Sequence, residues 1–369
     1  MSKSSKKIIF AAGGTGGHLF PAQALAEKLL KLKPDTVILF AAAKLNESPY
    51  FDKAAFDHCD IQSTTPFRGG PLKVLKSVRT LLKGIRESMQ LLRREQPDLV
   101  IGFGSFHSFP VLCAAALKKI PIVLFESNSI PGKVIRLFSK RALFTATFFP
   151  EAKRHLKGDV REVEIPKKTI HNRPPMSKAE ARRLFQLDPD RTTLLIFGGS
   201  QGAKNLNKHF QDLIPLLHGK NLPVQCIHFT GNKETAAALS ELYRSLNIRC
   251  YVKDFEPRMD IAWSAADLAV CRAGAMTLSE LLHYEVPAVL IPYPHAADQH
   301  QLHNARIFEK EIGCVKHFTE ESLSAKLLCE AIIQHIDSAP EKRKAIASFN
   351  AQQKKADLSS LILEILETP

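Results

Sequence analysis

Lys7-Ile-Ile-Phe-Ala-Ala-Gly-Gly-Thr-Gly-Gly-His18, followed by Leu19-Phe-Pro-Ala-Gln-Ala-Leu-Ala-Glu-Lys-Leu-Leu30, has the order strand, glycine turn, helix. After Lys7 the run is apolar up to Gly13, the length of a buried strand. Leu25, Ala26, Leu29 and Leu30 then recur at helical spacing. Pro21 is expected in the first helical turn, where its fixed φ and missing N–H do no harm. The same design returns about 185 residues later, where Leu194–Phe197 leads into Gly198-Gly199-Ser200-Gln201-Gly202-Ala203. Thr36–Ala43, Leu99–Phe103, Ile122–Phe125, Val224–Phe229, Leu268–Cys271 and Ala288–Ile291 are further short apolar runs, with helical patterns between them. That alternation predicts an α/β protein of two Rossmann-like domains, each a parallel sheet wound by helices. Ligands of such sheets bind at the carboxyl ends of the strands.

The length, 369 residues, suits two domains of roughly 150 residues each. Residues 7–165 are read as the first and 166–344 as the second, and a final helix over 345–369 is expected to return to the first. Val160–Arg183 is basic, carries Pro174-Pro175 and lacks apolar periodicity, so the linker is placed there. Hydrophobic residues make up 45% and charged residues 24%, which excludes a disordered, collagen-like or coiled-coil chain. No apolar run approaches the ~18 residues of a membrane span, and no secretory signal is read at the N-terminus. Seven scattered cysteines without a C-x-x-C pair read as small buried hydrophobes. The net charge of +14 favours anionic partners without choosing among them.

Six elements carry chemistry. Gly13–His18 can cradle an anion with backbone N–H groups at a helix start, or be a bare turn. His18, where the turn meets the helix, is expected to point into the cleft. Ser200 and Gly202 offer the same logic in the second turn. Cys271-Arg-Ala-Gly-Ala-Met-Thr-Leu-Ser-Glu280 runs from a strand into a helix. There Glu280 either accepts hydrogen bonds from a ribose diol or serves the helix dipole. Gly102–Ser108 and Phe125-Glu-Ser-Asn128 place polar groups after two strands of the first half. Pro292–Ala305 holds His295, His300, His303 and Gln301, read as sugar-facing rather than as a metal site. Phe67–Arg94 is basic and amphipathic, either a membrane-surface helix or a solvated one.

In this order the segments resemble the MurG family of peptidoglycan synthesis, from Lys7 to about residue 320. G-G-T-G-G-H (13–18), G-G-S-Q-G-A (198–203) and C-R-A-G-A-x-T-x-S-E (271–280) carry the resemblance. It implies a GT-B architecture, two Rossmann-like domains facing across a cleft, and an inverting transfer of GlcNAc from UDP-GlcNAc. The acceptor is the undecaprenyl-linked muramyl-pentapeptide lipid. It implies UDP-GlcNAc on the second domain: Ser200 near the phosphates, Ala275, Met276, Thr277, Leu278, Ser279 and Glu280 around the nucleotide, and Gln301 on the sugar. Thr15, Gly16, Gly17 and Asn128 face the donor sugar and the acceptor diphosphate. His18 is the base or positioning residue for the acceptor 4-hydroxyl, and Glu126 is the second catalytic residue. Phe67–Arg94 on the acceptor domain is expected to dock the anionic cytoplasmic face of the inner membrane. The family's G-N-P-V-R reads His171-Asn-Arg-Pro-Pro175, so its arginine falls on Pro175 and Arg173 is the candidate substitute. No cofactor, metal or nucleic acid is expected.

Three other classes compete. A sugar-nucleotide 2-epimerase would consume UDP-GlcNAc without acceptor. A dinucleotide-dependent oxidoreductase would need the third glycine where Leu19 stands and an acidic residue closing the next strand. A nucleic-acid-binding protein would need a recognisable module.

Overall fold

Both glycine turns leave interior strands of all-parallel sheets. The computed structural model describes residues 5–65, 71–167, 176–199, 204–220 and 222–367. By contacts the chain divides into Met1–Asn172 with Lys355–Pro369, and Arg173–Lys354.

The first unit runs β1 (Lys7–Ala11), α1 (Gly16–Leu32), β2 (Val37–Ala42), β3 (His58–Asp60), α2 (Pro71–Glu95) and β4 (Leu99–Gly102). It continues through α3 (Ser105–Leu117), β5 (Ile122–Glu126), α4 (Lys133–Phe138), β6 (Phe144–Thr147) and β7 (Val160–Glu162). The sheet order is β3-β2-β1-β4-β5-β6-β7. Ile9 pairs in register with Leu39 on one side and Val100 on the other, and all three are apolar because helices cover both faces. Helix α1 begins at Gly16, so Pro21 lies inside it rather than in its first turn.

The second unit begins with α5 (Lys178–Leu184), β8 (Thr192–Phe197), α6 (Lys204–Gly219), β9 (Val224–Phe229), α7 (Lys233–Ser245) and β10 (Cys250–Lys253). It goes on with α8 (Met259–Ala265), β11 (Leu268–Cys271), α9 (Ala275–Tyr284), β12 (Ala288–Leu290), α10 (His300–Glu311) and β13 (Val315–His317). Helices α11 (Ala325–Asp337) and α12 (Ala339–Gln352) close it. The sheet order is β10-β9-β8-β11-β12-β13. Leu194, Ile196, Leu268, Val270 and Val289 form its core with Leu206, Phe210 and Leu213 of α6.

Two expectations are corrected. The linker reading over 160–183 fails at both ends, because Val160–Glu162 is the edge strand of the first sheet and Lys178–Leu184 is helix α5, capped by Ser177. The final helix over 345–369 is two helices that part company. Helix α12 belongs to the second unit: Asn350 Nδ2 donates to Leu282 O at 2.8 Å and Arg343 pairs with Asp267. The last helix, Leu358–Glu367, packs on α1 in the first unit. Between them Lys355 Nζ donates to Phe148 O at 2.7 Å and Ala356 bridges Val163. Asp357 then starts the last helix by accepting from Ser359 N at 3.3 Å and pairs with Lys28. All seven cysteines are free thiols, four buried and three half-buried.

Candidate active site

The first unit gathers its polar groups at the carboxyl ends of β1, β4 and β5. Gly14 turns at φ +93°, a region that favours glycine, and Gly16 starts α1. Thr15 occupies the N-cap without a side-chain capping bond. Its hydroxyl instead lies 3.3 Å from His18 Nδ1, so the imidazole is held by the turn it follows. The His18 ring lies over Gly104, whose φ is +84°. A Cβ there would meet His18 Cδ2 at an ordinary 3.6 Å and Ile135 Cγ1 at a tight 3.3 Å, so the positive φ, more than the space beneath the imidazole, calls for glycine. Ser105 follows at φ +66°, a strained value for serine, and Ser108 Oγ ties the turn by donating to Gly104 O at 2.6 Å. His107 Nδ1 is bonded to Ala43 O at 3.0 Å, which makes it a link between turns.

Glu126 ends β5 and is buried. Oε1 accepts from Asn128 N at 2.9 Å and from Asn128 Nδ2 at 3.1 Å, and Oε2 accepts from Gly132 N at 2.8 Å. Burial pushes its carboxyl above the usual range, and the N–H bonds offset part of that rise. The carboxylate therefore orients Asn128, a half-buried amide on the rim, by holding the loop from both oxygens.

In the second unit, α9 starts at Ala275 after Gly274, with no side-chain cap and no acidic residue in its first turn. Its first N–H groups make an anion-seeking end. Met276 and Thr277 are half-buried there, whereas Leu278 lies in the core and donates its N–H to Gly274 O. Ala275 and Ser279 are buried beside it, so these three support the turn from inside. Glu280, half-buried, receives the Trp263 indole N–H at Oε2, 3.0 Å away. Arg272 is buried and donates Nη1 to Ile291 O at 3.0 Å, while Nη2 pairs with Glu320. It pins the loop after β12 to the turn after β11, and Asn304 Nδ2 bonded to Ala273 O adds a second tie. Gln301 Oε1 accepts from Tyr293 N at 3.0 Å, which fixes the orientation of the amide. Asp298 and Gln299, just before α10, are both left-handed at φ 49° and 50°.

The geometry brings Thr15, Gly16, Gly17, His18, Glu126 and Asn128 onto one rim, and Met276, Thr277, Glu280 and Gln301 onto another, with Ala275, Leu278 and Ser279 buried behind that second rim. Arg173 and Ser200 lie outside the described residues, as do Phe67 and Arg68. Within α2, Leu72, Val74, Leu75, Val78 and Leu82 are exposed, Leu72 by 83% and Leu75 by 68%. No helix among the described residues is long and apolar enough to cross a membrane. Among them no group of three His, Cys, Asp or Glu is placed to hold a metal ion, and His300 Nδ1 is bonded to Ala297 O. Two residues escaped the sequence reading. Phe255, exposed by 58%, follows β10 on the carboxyl side of the second sheet. Trp263, the chain's one tryptophan, sits in α8. An apolar residue in a polar loop was the only signal for the first. Nothing local pointed to the second.

The description "Glycosyltransferase family 28 N-terminal domain" matches residues 8–147, and "Glycosyltransferase family 28 C-terminal domain" matches 193–362. The UDP-N-acetylglucosamine--N-acetylmuramyl-(pentapeptide) pyrophosphoryl-undecaprenol N-acetylglucosamine transferase of Protochlamydia amoebophila is 39% identical over 365 residues, 98% of this chain and 96% of the relative. The protein of that name from Chlamydia pneumoniae is 33% identical over 99% of this chain and 100% of its own. The crystal structure of Acinetobacter baumannii MurG matches with a TM-score of 0.75 at 25% identity, over 99% of this chain and 100% of that one.

Proposed function

The chain belongs to the MurG family of glycosyltransferases, and from that premise we propose how its residues divide the reaction. It is a hexosyltransferase of GT-B type that moves GlcNAc from UDP-GlcNAc to the undecaprenyl-linked muramyl-pentapeptide acceptor in peptidoglycan synthesis.

Inverting transfer needs a base for the acceptor hydroxyl and stabilisation of the departing diphosphate. His18 is the base. With the proton on Nδ1 donated to Thr15 Oγ1, the Nε2 lone pair takes the 4-hydroxyl proton as that oxygen attacks the sugar C1 and the C1–O bond to UDP breaks. Gly16 and Gly17 at the start of α1 face the acceptor diphosphate, and Glu126 serves by holding Asn128. On the donor side the N–H groups at the start of α9, with Met276 and Thr277, take the charge growing on UDP. Glu280 accepts from the ribose hydroxyls, and Gln301 Nε2 donates to the sugar. Arg173 and Ser200 are assigned to the nucleotide and the phosphates on the family pattern. Phe255 offers its ring as an apolar platform for the base.

One observation carries this reading: a histidine slotted over Gly104 ends one sheet, and an uncapped helix backed by Glu280 ends the other. The experiment is UDP release by purified protein with and without acceptor. Acceptor-dependent release that falls in His18→Ala and Glu280→Ala supports it. Release without acceptor points to an epimerase or hydrolase instead.

The lipid acceptor also needs a membrane surface. The exposed leucines and valines of α2, interleaved with Lys73, Lys76, Arg79 and Lys83, suit peripheral docking on the anionic cytoplasmic leaflet. Leu72→Ser with Leu75→Ser should weaken sedimentation with anionic vesicles while UDP binding is retained. Unchanged sedimentation would remove α2 from that role.

A further inference from the structure

We propose that Trp263 is a positioning residue for the donor: its indole N–H holds the Glu280 carboxylate in the orientation that receives the ribose hydroxyls. The proposal rests on the assignment of Glu280 to the ribose. Trp263 is 1% exposed and is the only tryptophan in the chain. Its ring is fixed on two sides. Tyr284 lies parallel to it at 6.3 Å between centroids, and Phe197 meets it edge-on at 5.6 Å and 87°. The buried indole therefore has little freedom to turn, and Nε1 has one direction in which to donate. It donates to Glu280 Oε2 at 3.0 Å.

A buried indole N–H needs a partner, and a backbone carbonyl would meet that need. Here the partner is instead the carboxylate of a half-buried residue at the rim of the sheet. A charge-assisted bond to one oxygen sets the plane in which its other lone pairs point. A glutamate has three side-chain torsions to freeze before it can hold a diol, and the indole freezes them beforehand. The contacts of this one ring also join the pieces of the donor half. Phe197 is the last residue of β8 before Gly198-Gly199, Glu280 and Tyr284 lie on α9, and α8 follows the loop that carries Phe255.

The test compares dissociation constants of UDP and 2′,3′-dideoxy-UDP for the wild type, Trp263→Phe and Glu280→Ala. Trp263→Phe keeps an aromatic ring and removes the N–H. In the wild type the missing hydroxyls should cost about tenfold or more, as expected for hydrogen bonds to a charged group. In Trp263→Phe that ratio should collapse to within about threefold of its value in Glu280→Ala. A general loss of packing would weaken both ligands alike and leave the ratio standing. A wild-type ratio in Trp263→Phe, with a collapsed ratio in Glu280→Ala, overturns the role of Trp263 alone. A wild-type ratio in Glu280→Ala overturns the ribose assignment itself.

If Trp263→Phe does not fold, the unaltered protein decides, because its tryptophan emission comes from this one ring. Saturating UDP should change that emission, and saturating 2′,3′-dideoxy-UDP should change it by less than half as much. Equal responses to the two ligands overturn the proposal.

Discussion

Two carboxylates, one buried and one half-buried, sit at opposite ends of strands and are satisfied in opposite ways. Glu126 closes β5 at its carboxyl end, and its partners are neutral donors: the N–H groups of Asn128 and Gly132 and the Asn128 amide. Asp267 precedes β11 at its amino end and is surrounded by cations. Lys178 Nζ lies at 2.6 Å and Arg343 Nη2 at 2.8 Å from Oδ1, Arg182 Nη2 at 2.5 Å from Oδ2, and Thr193 N adds 2.8 Å. Burial works against the charge in both. At Glu126 it prevails and the carboxyl is raised. At Asp267 the pairing with Lys178 and Arg182 and the bond from Thr193 N outweigh it, and the carboxyl is lowered. Asp267, at the amino end of its strand, is thus welded by full charges, whereas Glu126, at the carboxyl end of its own, is held by dipoles that a ligand can re-engage.

The largest effect expected from that contrast is at the weld. Asp267→Ala leaves Lys178, Arg182 and Arg343 facing one another without a counter-charge, with Arg182 buried. Loss of one member of a buried pair costs about 3–5 kcal/mol, so urea unfolding should fall by about that amount. A loss under about 1 kcal/mol would break the comparison. The reverse holds for His18→Ala. The half-buried imidazole should cost little stability, within about 0.5 kcal/mol. Turnover should fall about a hundredfold, near 2.7 kcal/mol of barrier. A parallel loss of stability would show that the carboxyl rim is structural after all.

Glu126→Gln comes next. Its amide NH2 would meet the Gly132 N–H, donor against donor, at a cost of about 1–2 kcal/mol. The pH dependence sharpens the contrast with Asp267. A raised carboxyl stabilises the fold below its ordinary pKa, near 4.3 for Glu, and that stability is lost as pH rises through the folded value. A lowered one stabilises above its ordinary pKa, near 3.9 for Asp, and that stability is lost as pH falls through the folded value. Urea midpoints from pH 3 to 7, the range spanning about those two values, should therefore show the wild type losing ground to Glu126→Gln as pH rises and gaining on Asp267→Asn. Parallel slopes would mean that the two sites do not differ in kind.

The strands that carry the site are legible because burial on both faces leaves an apolar run, as in Ile8–Ala12 or Leu268–Cys271. Strands at the edges are not: His58–Asp60, Val160–Glu162, Cys250–Lys253 and Val315–His317 are short and half-exposed. Phe144–Thr147 is buried but reads as polar, since Thr145 and Thr147 occupy two of its four places. The break at Asp357 was written in the sequence as an acidic residue before Ser359-Ser360, a helix start. Glycine turns and the acidic residue of α9 follow from local pattern. The bonds that orient them do not, because Trp263 reaches Glu280 across 17 residues and His18 meets Gly104 only after β4 has paired with β1.

The smallest effect tests the same contrast in the backbone. Gln299 and Glu285 are both left-handed non-glycines, at φ 50° and 53°. Glu285 caps the end of α9 on the amino side of β12, a place where helices routinely end this way. Gln299 is paired with a second left-handed residue, Asp298, and stands before the helix that carries Gln301. Glycine at either position removes roughly 1 kcal/mol of strain and returns about 0.5–1 kcal/mol of chain entropy, so stability should move by no more than about 0.5 kcal/mol in both variants. Function should separate them. Glu285→Gly touches only a helix end, and KM for UDP-GlcNAc should stay the same. Gln299→Gly frees the start of α10, so the Gln301 bond to Tyr293 N is populated less and KM should rise, by about two- to threefold for a neutral hydrogen bond weakened in part. An equal KM in the two variants would mean that the strain before α10 is incidental to the donor rim.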